Sequence, residues 1–169
     1  MAKVVFEEKQ RMRQWWIWLL IGGATAFVSY ALLYQLITGE GLGTEPIGLG
    51  EMISIEVLML LLLLFIGRLE LQVRIDAAGI HYRFWPFFKW RHRIWAEMQS
   101  VEVRQYRPLL DYGGWGFRLG IGGNGWAYNI AGNKGIQLVL QNGDRLLLGT
   151  QRPEEAAAAI ARLKSARND

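Results

Sequence analysis

Residues 52–84 read MISIEVLMLLLLLFIGRLELQVRIDAAGIHYRF, and the change of pattern at Gly67 decides the fold. Val57 to Gly67 is wholly apolar. From Leu69 onward the side chains alternate. Leu69, Leu71, Val73 and Ile75 fall on one face, and Glu70, Gln72, Arg74 and Asp76 on the other. A period of two marks a half-buried strand. Asp76-Ala77-Ala78-Gly79 then forms a turn, and Ile80, Tyr82 and Phe84 resume the alternation as a returning strand. An apolar helix therefore passes without a spacer into a β-hairpin.

Upstream, Trp15 to Ile37 carries no charged side chain over 23 residues. At a helical rise of about 1.5 Å per residue this covers about 35 Å, enough to cross a hydrocarbon core of roughly 30 Å. Trp15, Trp16 and Trp18 sit at one end and Tyr30 and Tyr34 toward the other, as expected of rings that settle at headgroup depth. A cleaved leader has a shorter apolar stretch and a polar mature chain behind it; here a second span follows, so no cleavage is expected. That span admits two registers. Ile47 to Gly67 puts Glu56 near the midplane, at a cost of about 2.5 to 3.5 kcal/mol. Met52 to Leu71 moves Glu56 toward the outer surface and lets Arg68 snorkel; this register is preferred. In the other register Glu56 becomes a proton or cation site, or a polar contact with another membrane subunit.

Lys3, Lys9, Arg11 and Arg13 precede the first span, residues 38–50 contain no Lys or Arg, and Arg68 and Arg74 follow the second. The positive-inside rule places both termini in the cytoplasm. The expected organisation is a cytoplasmic segment 1–14, a transmembrane helix 15–37, an external loop 38–51 that is Gly-rich and contains Pro46, a second transmembrane helix 52–67, and a cytoplasmic domain 68–169. Gly22, Ala26 and Ser29 put small residues along one stripe of the first helix, where a neighbouring helix can approach closely. That neighbour is either the second span of the same chain or a separate partner, for which Gly22, Ala26, Ser29 and Glu56 are the candidate contacts.

Further strands are expected at 89–95, 100–106, 116–121, 126–130, 136–141 and 144–149. Asn142-Gly143 is a hairpin signal. Pro153, Glu154 and Glu155 open a helix with Ala156, Ile160 and Leu163 on one side, and Arg162, Lys164 and Arg167 complement its C-terminal dipole. The expected fold is a membrane helical hairpin plus a mainly-β domain, with seven or eight antiparallel strands in a small barrel or sandwich closed by a C-terminal α-helix.

That order, with Tyr112-Gly-Gly-Trp-Gly-Phe-Arg118, Ala127-Tyr-Asn-Ile-Ala-Gly-Asn-Lys-Gly-Ile-Gln-Leu138 and Leu147-Leu-Gly-Thr-Gln-Arg-Pro-Glu-Glu155, resembles the small bacterial membrane proteins that carry two N-terminal spans and a pleckstrin-homology (PH)-like domain. The resemblance covers nearly the whole chain. It implies a PH-like fold at the bacterial inner membrane and leaves function open, because fold does not fix function. The basic cluster that phosphoinositide-binding PH domains place at the first hairpin is reduced here to Arg74, His81 and Arg83 around an Asp-Ala-Ala-Gly turn.

With no spacer after the second helix, the first strand climbs away from the bilayer and its partner comes back down. The next connection, Trp85-Pro86-Phe87-Phe88-Lys89-Trp90-Arg91, then lands at headgroup level. Aromatic rings suit that depth, and cations meet anionic lipid at about 1 kcal/mol each. The expected membrane-interface residues are Trp15, Trp16, Trp18, Trp85, Phe87, Phe88, Lys89, Trp90 and Arg91. In the alternative, Trp85 and Phe87 cap the core. An up-and-down count brings 105–115, 131–135 and 150–153 to the same rim, so Tyr106, Arg107, Tyr112, Trp115, Asn133 and Lys134 are further candidates for partner binding, unless Trp115 fills the core and its neighbouring glycines are only bends.

The chain has no cysteine and only His81 and His92 as imidazoles, which excludes thiolate chemistry and leaves metal binding without a proximal ligand set. Gly120-Ile-Gly122-Gly-Asn-Gly125 matches a dinucleotide spacing, but a strand follows where a helix N-terminus is required, so it reads as a hairpin turn. Ser100 and Ser165 sit in no nucleophile elbow. No catalytic residue, cofactor or metal is expected. The net charge of +4 divides as +2 over residues 1–13, −4 over 14–67 and +6 over 68–169. Basic groups that follow a span beside aromatics point to the anionic bilayer rather than nucleic acid. The expected function is a non-catalytic accessory or scaffold subunit of a larger membrane complex, whose partners are the bilayer and other integral membrane proteins. The alternatives are a lipid-responsive module or stress sensor and, least favoured, an enzyme or transporter using Glu56.

Overall fold

A computed structural model describes residues 4–43 and 47–168. Lys3 and Pro46 lie outside the described residues, as does the side chain of Arg167. The chain divides into two compact units, residues 13–68 and the remainder.

The helical unit consists of α1, Trp15–Thr38, and α2, Leu49–Arg68. Gly39 ends α1 in the left-handed region at φ +76° and returns its N–H to the Gln35 carbonyl, a common helix stop. Within this unit the helices run antiparallel. Gln35 donates to the Ile47 carbonyl at one end, and at the other a Cβ on Gly67 would lie 3.3 Å from the Trp18 ring. The less exposed positions include Trp18, Ile21, Thr25, Val28, Leu32 and Gln35 on α1, with Ile17, Gly22, Ser29, Ala31 and Tyr34 flanking them, and Met52, Glu56, Met59, Leu63 and Ile66 on α2. Steps of three and four are the spacing of helices packed along a heptad seam. The remaining surface is apolar: Leu19, Leu20, Phe27, Leu58 and Leu64 are each more than 60% exposed. Both helices are long and apolar enough to cross a membrane, and only 11% and 6% of their most apolar windows is buried. Leu71, which the preferred register assigned to the second span, is instead a fully buried strand residue.

The β unit begins before the helices. Phe6–Arg11 forms β1, which pairs antiparallel with β2, Glu70–Ile75, from Phe6 opposite Ile75 to Arg11 opposite Glu70. β3, Gly79–Trp85, and β4, Phe88–Ile94, complete a four-stranded sheet in the order β1-β2-β3-β4. The second sheet contains β5, Met98–Gln105; β6, Gly116–Leu119; β7, Trp126–Asn129; β8, Lys134–Leu140; and β9, Arg145–Gly149. Its order is β5-β8-β9-β7-β6. A short helix α3, Pro108–Tyr112, lies between β5 and β6, and α4, Pro153–Asn168, follows β9. The two sheets and α4 share one core: Leu71, Val73, Ile80 and Phe84 from the first sheet meet Ile136, Leu138 and Leu148 from the second, with Ala156, Ala159, Ile160 and Leu163 of α4.

Two expectations need correction. Of the expected barrel or sandwich the sheets form the latter and do not close, but the strands number nine among the described residues rather than seven or eight. They are also not wholly antiparallel, because β7 runs parallel to β9, with Trp126 opposite Leu146 and Tyr128 opposite Leu148. The β6–β7 hairpin adds to the free side of β9 after β8 has taken the other. The glycine-rich segment 120–125 is that hairpin's turn, closed by the Gly120 N–H donating to the Gly125 carbonyl. Gly125 has φ +73°, and a Cβ there would lie 2.0 Å from the Arg145 carbonyl oxygen, so the turn approaches β9 more closely than any larger residue permits.

Candidate functional site

The β3–β4 turn holds the aromatic-basic segment. Glu70 pairs with both Arg11 and Trp85, so the turn lies at the sheet end where β1 stops and β2 starts. Trp85, Phe87 and Trp90 are 46%, 50% and 38% exposed, and Lys89 and Arg91 are exposed as well. Phe88 is the ring that caps the core, 5.0 Å from Tyr128 and 6.0 Å edge-on to Tyr82. Phe87 stacks on Phe84 at 5.3 Å and on Phe117 at 5.7 Å, leaving half its surface open. The register shifts between Tyr82 and Phe84. Trp90 consequently lies under the Arg74 and Arg83 guanidiniums at 4.5 and 5.8 Å, while Arg91 covers Phe88 at 4.4 Å. In the helical unit, Trp15 and Trp16 are exposed and Trp18 packs beside Gly67.

Of the residues expected to contact a partner helix, the structure brings two together. The Ser29 hydroxyl donates to Glu56 Oε1 at 2.7 Å, and Glu56 Oε2 is buried with no hydrogen-bond partner. Ala26 is exposed and a Cβ on Gly22 would meet nothing within 4 Å. The seam therefore uses Thr25, whose hydroxyl donates to the Ile21 carbonyl at 2.8 Å, rather than the full small-residue stripe.

The loops at the rim of the second sheet do converge. The Tyr106 N–H donates to the Asn133 carbonyl, the Thr150 N–H to the Lys134 carbonyl and the Trp115 indole to the Gly132 carbonyl. Arg107, Asn133 and Lys134 are exposed there, with Lys134 3.4 Å from Glu154 and Arg107 3.8 Å from Asp111. Tyr106 and Tyr112 are a correction: at 3% and 2% exposure they form a second small core with Ala127 and Leu147. Burial pushes the Tyr106 phenol up to about 12, although the Asn129 amide bonds its oxygen at 2.9 Å. Burial also raises Tyr112, against the pull of Arg104. A loop rich in Gly and Tyr looks open in sequence, but here its rings turn inward to cover the end of the sheet.

The largest feature that sequence reasoning missed is β1. Its inward residues are Phe6, Glu8 and Gln10, all buried, so two of the three are polar and no hydrophobic alternation marks the strand. Partners replace apolarity. Glu8 accepts from the Thr150 hydroxyl at 2.5 Å and the Gln151 N–H at 2.8 Å, and Gln10 donates to the Gly149 carbonyl. At the strand end, Glu70 meets Lys9 at 3.0 Å, Arg11 at 2.9 Å and Arg83 at 3.6 Å. Burial alone would raise the Glu70 carboxyl, but bonds from Lys9, Arg11 and Gln72 outweigh it and hold it below the ordinary Glu value. A carboxyl lowered in the folded state stabilises above its unfolded pKa, and that contribution disappears as pH falls through the folded value. Thermal unfolding of wild type and Glu70→Gln followed from pH 7 to pH 3 should show the gap in Tm narrowing with acid; a constant gap would contradict the ion cluster.

His81 lies 3.1 Å from Asp76 and stacks with His92 at 5.9 Å. Among the described residues no three His, Asp or Glu side chains gather into a metal-binding group.

No protein-family model matches the chain, and no curated protein matches it.

Beside the expected residues lies a groove of about 470 Å³, bordered by β4, the β6–β7 hairpin and the turn after β8. Arg91, Arg93 and Arg145 line it over a floor of Tyr82 and Tyr128. Burial raises the Tyr128 phenol, partly opposed by the positive charges of Arg91 and Arg93.

Proposed function

We propose that the chain is a non-catalytic integral membrane protein of the bacterial inner membrane. A two-helix hairpin holds a PH-like domain at the cytoplasmic surface, where it serves as an accessory or scaffold subunit of a larger membrane complex. The observation that carries this reading is the pairing of β1 with β2 on either side of the apolar helices. Arg11 and Glu70 are ladder neighbours, which supports a reading in which both ends of the helical segment emerge on one side of a bilayer. If α1 crosses, α2 has to return. The exposed leucines of both helices fit lipid, since a folded soluble chain does not leave so continuous an apolar surface in water.

The PH-like assignment draws support from a four-stranded sheet, a second sheet and a closing C-terminal helix; the added β6–β7 hairpin is a departure from that pattern. The scaffold role rests on Glu56, whose second oxygen lacks a partner. In lipid such an acceptor favours a donor from a neighbouring helix. The exposed Trp85, Phe87, Lys89 and Trp90 favour the second reading, a module that responds to anionic lipid at the membrane surface.

Because the chain has no native cysteine, single cysteines report topology cleanly. An impermeant maleimide should label Leu42→Cys in intact bacterial cells and Ser165→Cys only after lysis; the reverse pattern would overturn the orientation. Extraction in mild detergent, followed by size analysis and mass spectrometry, should then recover other integral membrane proteins with the chain. A monodisperse monomer alone would refute the scaffold role.

A further inference from the structure

Where the sandwich stays open, the edge of β4 faces the β6–β7 hairpin across the groove described above. The register shift in β3–β4 turns Arg91 inward, and Arg93, opposite Ile80, lies on the same inward face. Both line the groove with Arg145 from the start of β9. Arg91 lies over the Phe88 ring at 4.4 Å, and Arg93 Nε is buried with no hydrogen-bond partner, its terminal nitrogen lying 3.8 Å from Glu97. Asp144 is the one acidic residue on the lining, and its carboxylate already accepts from the Asn142 amide at 2.7 Å. Counting Asp144 and also Glu97, whose carboxylate lies 3.8 Å from Arg93, the three guanidiniums still leave a net positive charge for an anion to meet. The opposite wall is flat and apolar: Phe117 and Trp126 stack at 4.9 Å and are 38% and 42% exposed. The close approach of Gly125 to β9 fixes the hairpin that carries them. The volume lies in the range of sites that enclose small ligands, about 300–1,000 Å³.

We propose that this groove binds an organic phosphate monoester, with the phosphate held by Arg91, Arg93 and Arg145 and the carbon skeleton laid on Phe117 and Trp126. Guanidinium forks match phosphate oxygens in pairs, and the tyrosine hydroxyls of the floor add neutral donors at the same place. The monoester is either a soluble metabolite or the headgroup of a lipid such as phosphatidic acid; the recognition chemistry is the same. The proposal is independent of the membrane reading, because the β unit supplies every residue in it.

The test uses the full chain in phosphatidylcholine nanodiscs, titrated calorimetrically with phenyl phosphate and, separately, with inorganic phosphate. Phenyl phosphate should bind saturably and at least about tenfold more tightly than inorganic phosphate, since only it reaches the aromatic wall. The pair Arg91→Gln and Arg93→Gln should weaken it by about tenfold or more, as expected for loss of charge-assisted bonds. Arg145→Gln, an exposed position that leaves the core intact, should weaken it severalfold, and Trp126→Leu should reduce the preference over inorganic phosphate. Nanodiscs doped with phosphatidic acid distinguish the sources: competition with phenyl phosphate indicates the lipid, and unchanged binding indicates a soluble ester. Absence of saturable binding for both phenyl phosphate and phosphatidic acid would overturn the proposal. So would binding that none of the arginine substitutions changes.

Discussion

Glu8→Ala should destabilise the β unit by about 3 kcal/mol, because it strips the acceptor from the buried Thr150 hydroxyl and from the Gln151 N–H. Glu8 is 5% exposed, and its two oxygens take the Thr150 hydroxyl and the Gln151 N–H. Those contacts tie the first strand to the segment that leads into α4. Their loss should lower the Tm by about 10 to 20 °C for a domain of this size. It should also make the N-terminal strand the first site of limited proteolysis. Glu8→Gln keeps one oxygen acceptor and the side-chain volume, so its cost should be about 1 kcal/mol. If the two variants melt together, the contribution is packing and the hydrogen-bond account fails.

Asn129→Leu should have a comparable effect. Asn129 is fully buried, donates to the Tyr106 hydroxyl at 2.9 Å and accepts from the Gly116 N–H at 2.8 Å. Leucine is close in volume but leaves the Gly116 donor and the Tyr106 hydroxyl without partners in a dry site, at about 2 to 3 kcal/mol. The discriminating measurement is a double-mutant cycle with Tyr106→Phe in chemical denaturation. Removing both polar groups should cost about 1 kcal/mol less than the sum of the single changes. Strict additivity would mean that the two side chains do not act as a pair.

The parts of this fold that were legible in sequence are those where hydrophobicity and periodicity agree. The apolar segments 15–37 and 52–67 appear as α1 and α2, extended by one residue on α1 and by four on the two ends of α2. The alternation from Leu69 to Phe84 is the β2–β3 hairpin, and Ala156, Ile160 and Leu163 are the buried side of α4. Illegible were the features that depend on a distant partner. β1 has a polar inner face that makes sense only beside Thr150 and Gly149. The parallel β7–β9 pair arises from which edge of β9 remains free, and no local signal encodes that. Tyr106 and Tyr112 carry the composition of a binding loop, yet their partners, Asn129 and Arg104, draw the rings under the sheet. The arginine groove was missed for a related reason: Arg91 reads as a membrane-interface cation and Arg93 is not singled out, and only the shift between Tyr82 and Phe84 puts both on the inward face.

The 59-residue separation between Arg11 and Glu70 also governs the order of events during biosynthesis. β1 leaves the ribosome before its ladder partner and can find it only after both helices have been made and the chain has doubled back. At about 5 to 20 residues per second, that is a wait of several seconds. On the membrane reading, a nascent chain whose second helix fails to return strands its two sheet segments on opposite sides of the bilayer. β2 is then left with an unpaired edge where β1 would have lain.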